Sequence, residues 1–178
     1  QWPSSAASDV YKRQLLNLTS AYASFVNGGK LISPIIIDRI QDSEGNTIIN
    51  NENRKCMNCD KISFTGKDYP QIKDNYEQVM SEQTAYQVTT ILEGVIKRGT
   101  GKKLRDLQLN LAGKTGTTNE NTDAWFIGFT SNLVIGVYVG MDNPKPLGKF
   151  ETGSKAALPI FREFIEKSVK KSDARPFK

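Results

Sequence analysis

LQLNLAGKTGTTNENTDAWFIGFTSNLVIGVYVGM, residues 107–141, decides how this chain folds. It opens with Leu107, Leu109 and Leu111 alternating with polar residues, which is the period-2 pattern of a half-buried strand. That strand delivers Lys114-Thr115-Gly116-Thr117 at its end. A polar loop over residues 118–122 follows, and then two runs rich in aromatic and β-branched residues, 124–129 and 133–140. Residues 124–141 carry no charge and are 18 long, which meets the crude length test for a membrane span. Thr130-Ser131-Asn132 in their middle is a turn cluster, however, and predicts a β-hairpin buried on at least one face.

Toward the N-terminus, Ala85, Val88, Leu92 and Val95 mark one face of a helix. Ser81 is its N-cap, Glu82 sits in its first turn and Gly99 ends it. Gly99-Thr100-Gly101 begins the connector to the 107–111 strand. Residues 50–77 are polar and irregular, with Gly66 and Pro70 as breakers, and read as an inserted surface loop. The isoleucine-rich residues 31–40 predict a strand with an edge or irregular start at Pro34. DSEGN (42–46) predicts a turn, and Thr47-Ile48-Ile49 the returning strand. Leu15, Leu18, Tyr22 and Phe25 recur at helical spacing up to a stop at Gly28-Gly29. On the C-terminal side, residues 142–148 are loop. A last helix starts at Gly153-Ser154, with Ala157, Ile160, Phe161, Phe164 and Ile165 on its apolar face and Pro159 tolerated near its start. The basic tail from Lys167 is expected to fray. Helix, strand, helix, three strands, helix implies an α+β arrangement, an antiparallel sheet flanked by helices. That core is small for 178 residues and implies part of a domain.

The composition is that of a soluble globular chain, with 24 Lys+Arg, 19 Asp+Glu and no histidine. The missing histidine excludes Ser-His-Asp and Cys-His catalysis, His-ligated metals and His-based pH switching within this chain. Proton transfer here has to use lysine, tyrosine or a carboxylate. The net charge of +5 is spread among acids along the whole chain, so no nucleic-acid partner is expected. Cys56 and Cys59 are the only cysteines. A zinc site needs about four ligands, and two are unaccounted for. CMNC therefore reads as a local disulfide or two idle thiols in a surface loop, and pairing is favoured in an oxidising compartment. Residues 1–14 have no apolar core, so any export signal is expected outside this sequence.

A strand ending in Lys114-Thr115-Gly116-Thr117 presents an ammonium, two hydroxyls and an unobstructed backbone at Gly116. The Thr117 N–H can donate into an oxyanion site, where one donor is worth about 2.7–4 kcal/mol. The Thr115 and Thr117 hydroxyls can hold a carboxylate in the positive field of Lys114. The pattern suits an anionic peptide-like ligand and acyl transfer. A phosphate-binding P-loop needs a glycine five residues before Gly113, where Gln108 stands, and a helix afterwards, where loop and strand are predicted.

Lys114-Thr115-Gly116 resembles the third signature motif of penicillin-binding proteins and serine β-lactamases. NLTSAYASFVNGG (17–29), ILEGVIKRGTG (91–101), LAGKTGTTNENTDAWFIGFTSNLVIGVYVGMDNPKPLG (111–148) and GSKAALPIFREFIEK (153–167) are similar to the transpeptidase domain of class A penicillin-binding proteins. These segments stand in family order. The resemblance implies an incomplete penicillin-binding transpeptidase fold, in which a serine attacks the penultimate D-Ala carbonyl of a peptidoglycan stem peptide. D-Ala leaves, and an amine of a neighbouring stem peptide resolves the acyl-enzyme into a cross-link. β-Lactams acylate the same serine. By the same resemblance Lys114 has an electrostatic and proton-relay role, Thr115 and Thr117 bind the terminal carboxylate, Gly116 admits the substrate backbone, and Thr117 N–H is the second oxyanion donor. Asp123-Ala124-Trp125-Phe126 is expected to be scaffold.

Residues 15–171 are then expected to be the C-terminal portion of that domain, with residues 1–14 lacking family character and 172–178 a basic tail. The only S-x-x-K string, Ser168-Val169-Lys170-Lys171, lies downstream of Lys114, where the family does not place it, and S-x-N does not occur. The serine nucleophile is expected elsewhere in a longer parent. The resemblance implies for that parent a glycosyltransferase module, a membrane anchor, a place in cell-wall synthesis complexes and action on the periplasmic, extracytoplasmic side of the membrane. Stem peptides and β-lactams are its expected partners, with no cofactor and no metal. A related serine β-lactamase or D,D-carboxypeptidase shares the motif. A non-catalytic wall-binding module is the reading from another class.

Overall fold

The hairpin forms as β6 (Ala124–Phe129) and β7 (Val134–Val139), paired antiparallel from Ala124↔Val139 to Phe129↔Val134. The computed structural model describes residues 4–51, 54–57, 59, 69, 71–170 and 174–178. Thr130 is fully buried at the hairpin turn, where its Oγ1 accepts from the Leu133 N–H at 3.2 Å and donates to Asn132 Oδ1 at 2.8 Å. β5 (Ala112–Thr117) pairs along the other side of β6, from Ala112↔Phe129 to Thr117↔Ala124, giving a three-stranded sheet in the order β5-β6-β7. Every residue of β6 except Trp125 is buried, because helices cover both faces of this central strand.

Four further strands precede these: β1 (Arg39–Gln41), β2 (Thr47–Asn50), β3 (Lys55–Met57) and β4 (Gln71–Lys73). The helices are α1 (Ser4–Val26), α2 (Glu82–Arg98) and α3 (Leu158–Ser168). Phe129 and Ala112 pack with Leu92 of α2 and with Tyr22, Phe25 and Val26 of α1. Phe126 points the opposite way along the strand and packs with Phe161, Leu158 and Ile165 of α3. The Phe126 and Phe161 rings meet edge to face, 4.8 Å between centroids. α2 starts as expected: Ser81 Oγ accepts from the Thr84 N–H at 3.1 Å, and Lys97 and Arg98 close the last turn.

Several expectations are corrected. Residues 107–111 are not a strand. A 3₁₀ helix, Lys102–Leu107, is followed by Gln108 at φ 54, and β5 begins only at Ala112. Leu104 and Leu111 are buried all the same, around a tight turn instead of along one pleated face. α1 begins at Ser4, ahead of the helical periodicity that starts at Leu15. Leu18 of α1 is exposed. On α3, Ile160 and Phe164 are 51% and 49% exposed, so the buried face is narrower than the periodicity implied. A π-helical turn, Gly153–Ala157, leads into that helix. The chain end does not fray throughout: Ala174 is buried, its carbonyl accepts from Asn110 Nδ2 at 2.9 Å, and Phe177 packs on Phe129 at 5.7 Å. Within the expected tail, residues 171–173 lie outside the described residues.

By its contacts the chain divides into two units, residues 1–32 with 78–178, and residues 33–77. In the second, β1 pairs with β2 and β3 with β4, both antiparallel. The strand expected over residues 31–40 is confined to β1. The Asp42 carboxylate closes the intervening turn by accepting from the Glu44 and Asn46 N–H groups at 3.0 and 2.8 Å, and the Asn46 contacts hold it below the usual carboxylate range. Residues 50–77, expected to be irregular, contain β3 and β4, and the remainder of that stretch lies mostly outside the described residues. Cys56 and Cys59 are joined as a disulfide, with Cα atoms 5.8 Å apart.

Arg162 of α3 clamps the 3₁₀ helix. It donates to Asp106 Oδ2 at 2.7 Å and Oδ1 at 3.0 Å, to the Lys103 carbonyl and to Glu166. The Arg162 hydrogen bonds hold the Asp106 carboxyl below its ordinary value. A depressed folded-state pKa gives stability that is present above the unfolded pKa and is lost as pH falls through the folded one. Asp106→Asn is therefore expected to lower Tm at neutral pH by a small amount, and the difference should close on acidification. Parallel Tm curves for the two proteins down to acid pH would contradict this.

Candidate active site

β5 is an edge: among the described residues only β6 pairs with it. An edge strand leaves backbone N–H and C=O groups open to an incoming extended peptide. Alternation along the strand puts Thr115 and Thr117 on the face shared with Phe126 and Ala124, and Lys114 and Gly116 on the face shared with Ile127 and Trp125. The four predicted residues are thus brought together on one strand but on two faces. Lys114 is exposed, and its ammonium donates to the Thr115 carbonyl at 2.6 Å. Thr117 Oγ1 accepts from the Gly153 N–H at 3.1 Å. The Thr115 hydroxyl is 2.8 Å from that of Thr100.

Gly153 reaches Thr117 because it has no side chain. A Cβ there would overlap the carbonyl oxygens of Gly116 and Trp125. Beyond the strand, Thr118 and Asp123 close a loop: the Thr118 N–H donates to the Asp123 carbonyl at 3.1 Å, and the Asp123 N–H to Thr118 Oγ1 at 2.8 Å. Tyr138 of β7 donates to Asp123 Oδ1 at 2.8 Å while its ring lies 4.7 Å from that of Trp125. Asp123 therefore ties the loop to the hairpin, and Ala124 and Phe126 fill the core beneath.

Two residues of this arrangement escape sequence reasoning. Thr100 is separated from Thr115 by 15 positions and Gly153 from Thr117 by 36. A glycine on each side of Thr100 signals only a turn. Among the described residues, no group of three or more ligating side chains is placed to hold a metal ion, and no helix is long and apolar enough to cross a membrane. Ser168 ends α3, and Lys171 lies outside the described residues.

An antiparallel sheet with helices on both faces and a Lys-Thr-Gly edge strand defines a class. The chain belongs to the penicillin binding protein transpeptidase domain family, whose model matches residues 14–166. Penicillin-binding protein 1A of Rickettsia prowazekii (strain Madrid E) is 43% identical over 167 residues, covering 92% of this chain. The chain spans 21% of that relative's length. The crystal structure of penicillin-binding protein 1A from Haemophilus influenzae superimposes with a TM-score of 0.74 at 30% identity, over 92% of this chain and 27% of that one. The D,D-transpeptidase domain of a peptidoglycan glycosyltransferase from Eggerthella lenta shares the fold, with a TM-score of 0.57 at 21% identity over 86% of this chain and 32% of that one.

Proposed function

We propose that this chain carries the substrate-binding edge strand of a serine D,D-transpeptidase that cross-links peptidoglycan stem peptides, and that the serine nucleophile belongs to a part of the protein outside this sequence. The observation that carries the reading is the open edge of β5. There Thr115 and Thr117 hydroxyls share one face, and Lys114 stands exposed on the other face of the same strand, in a chain of this family.

The D-Ala-D-Ala end of a stem peptide lies antiparallel to β5, with its carboxylate on the two hydroxyls. The Thr117 N–H donates to the oxyanion as the outside serine attacks the penultimate carbonyl. Lys114 supplies positive field and relays the serine proton. D-Ala leaves, and the amine of a second stem peptide takes the acyl group. A β-lactam enters by the same contacts and stays bound to the serine. A protein of this kind works on the extracytoplasmic, periplasmic face of the membrane, and the Cys56–Cys59 disulfide suits that oxidising compartment. A glycosyltransferase module, a membrane anchor and a place in cell-wall synthesis complexes complete the proposal. The 79% of the relative's length that this chain does not span leaves room for them.

Labelling with a fluorescent penicillin tests this. The 178-residue chain alone is expected to take up no covalent label, and the full-length protein is expected to label stably at a serine. Stable labelling of the chain alone would remove the assignment of an outside nucleophile. Failure of the full-length protein to label would remove the transpeptidase reading.

A further inference from the structure

The proposed carboxylate site rests on two hydroxyls, and a hydroxyl helps an anion only if its proton points at it. Thr117 meets that condition by construction. The Gly153 N–H can only donate, so Thr117 Oγ1 must accept there, at 3.1 Å, and its own proton is directed elsewhere. Thr115 has no such backbone donor. The partner of its hydroxyl is Thr100 Oγ1 at 2.8 Å, a pair in which either oxygen can donate.

The end of α2 is built to put Thr100 in that place. The N–H groups of Gly99 and Gly101 both return to the Val95 carbonyl, at 3.1 and 3.0 Å, so the chain turns within three residues of Arg98. A Cβ on Gly101 would come 2.7 Å from Ile96 Cδ1, and one on Gly99 would come 2.9 Å from the Val95 backbone. The turn therefore needs Gly99, whose Cβ would meet backbone, whereas the tip of the Ile96 side chain can shift to admit one at Gly101. Thr100 is the one residue of the three that projects a side chain.

We propose that Thr100 is a positioning residue of the carboxylate site. When an anion takes the Thr115 proton, the remaining 2.8 Å contact can be kept only with Thr100 as donor. Thr100 then fills the acceptor lone pair of Thr115, as Gly153 fills that of Thr117, and both threonine protons face the ligand. A donated bond also polarises the hydroxyl that receives it, which strengthens the outgoing bond to the carboxylate. This inference rests on the reading of the edge strand as the carboxylate site.

The test uses the full-length protein and compares benzylpenicillin with its methyl ester, which lacks the anionic group. Thr100→Val is expected to slow acylation by benzylpenicillin roughly tenfold, the scale of one lost hydrogen bond in a chain ending on a charged group. It should leave the methyl-ester rate within about twofold, and Thr100→Ser should restore the benzylpenicillin rate, because both comparisons isolate that one hydrogen bond. In a Thr115→Val background, Thr100→Val should cost nothing further, since the partner is already gone. Equal losses on acid and ester, no loss on the acid, failure of serine to rescue, or additive losses in the double variant would each overturn the role given to Thr100. The wild-type protein's acylation is read separately and bears only on the underlying transpeptidase reading.

Discussion

Penicillin acylation of the full-length protein is expected to fall by about two to four orders of magnitude when Lys114 is replaced by alanine, the range of a positioned proton-transfer group. Lys114 is the exposed cation of the β5 edge, and its one described hydrogen bond goes to the adjacent Thr115 carbonyl. No packing depends on its ammonium, so Tm should hardly move while the acylation rate collapses. Lys114→Arg keeps the charge and gives up the proton-relay role, since guanidinium does not deprotonate in proteins. Partial recovery with arginine would assign the residual effect to the positive field. Stopped-flow acylation with a reporter β-lactam measures all three proteins, and a near wild-type rate for Lys114→Ala would remove its assigned role.

The second large effect concerns stability. Phe126→Ala is expected to cost about 3–5 kcal/mol, the usual range for deleting a fully buried aromatic ring. Phe126 has no exposed surface, and its ring meets Phe161 edge to face in the cluster formed with Leu158 and Ile165. It also sits directly across from Thr115 in the β5–β6 register. The cavity would open beneath the strand that carries both site hydroxyls, so acylation should weaken along with the denaturation midpoint. Phe126→Leu refills most of the space and should recover the larger part of both. A Phe126→Ala loss below about 1 kcal/mol, the scale of an ordinary surface change, would contradict the placement of this ring at the centre of the core.

What could be read in advance was whatever neighbouring residues determine among themselves. The 124–140 hairpin follows from two β-rich runs around Thr130-Ser131-Asn132, and the start of α2 from Ser81 and Glu82. The Lys114–Thr117 strand carries its chemistry in consecutive letters. Other features failed the same treatment for a reason. Ile35, Ile36 and Ile37 have high strand propensity, yet a ladder extends only where a partner strand lies, and β1 is limited to the three residues that β2 reaches. Ile36 is 85% exposed in consequence. The leucines at 107, 109 and 111 alternate like a strand, but Leu107 ends a 3₁₀ helix and the other two follow it in irregular chain, because Gln108 takes a left-handed conformation that no pattern announces.

The chain ends show the same division. Phe177 reads as part of a fraying basic tail, and its docking depends on a gap beside Phe129 that exists only once α1, α2 and the sheet have assembled. The sequence by itself determined the family, the hairpin, the start of α2 and the four site residues of the edge strand, since each of those is written in adjacent or periodic positions. Only the tertiary structure decided that Gly153 closes on Thr117 and that Thr100 closes on Thr115. Those contacts span 36 and 15 residues. Hydrogen bonds of that reach are set by how the helices pack on the sheet, and local pattern carries no trace of them.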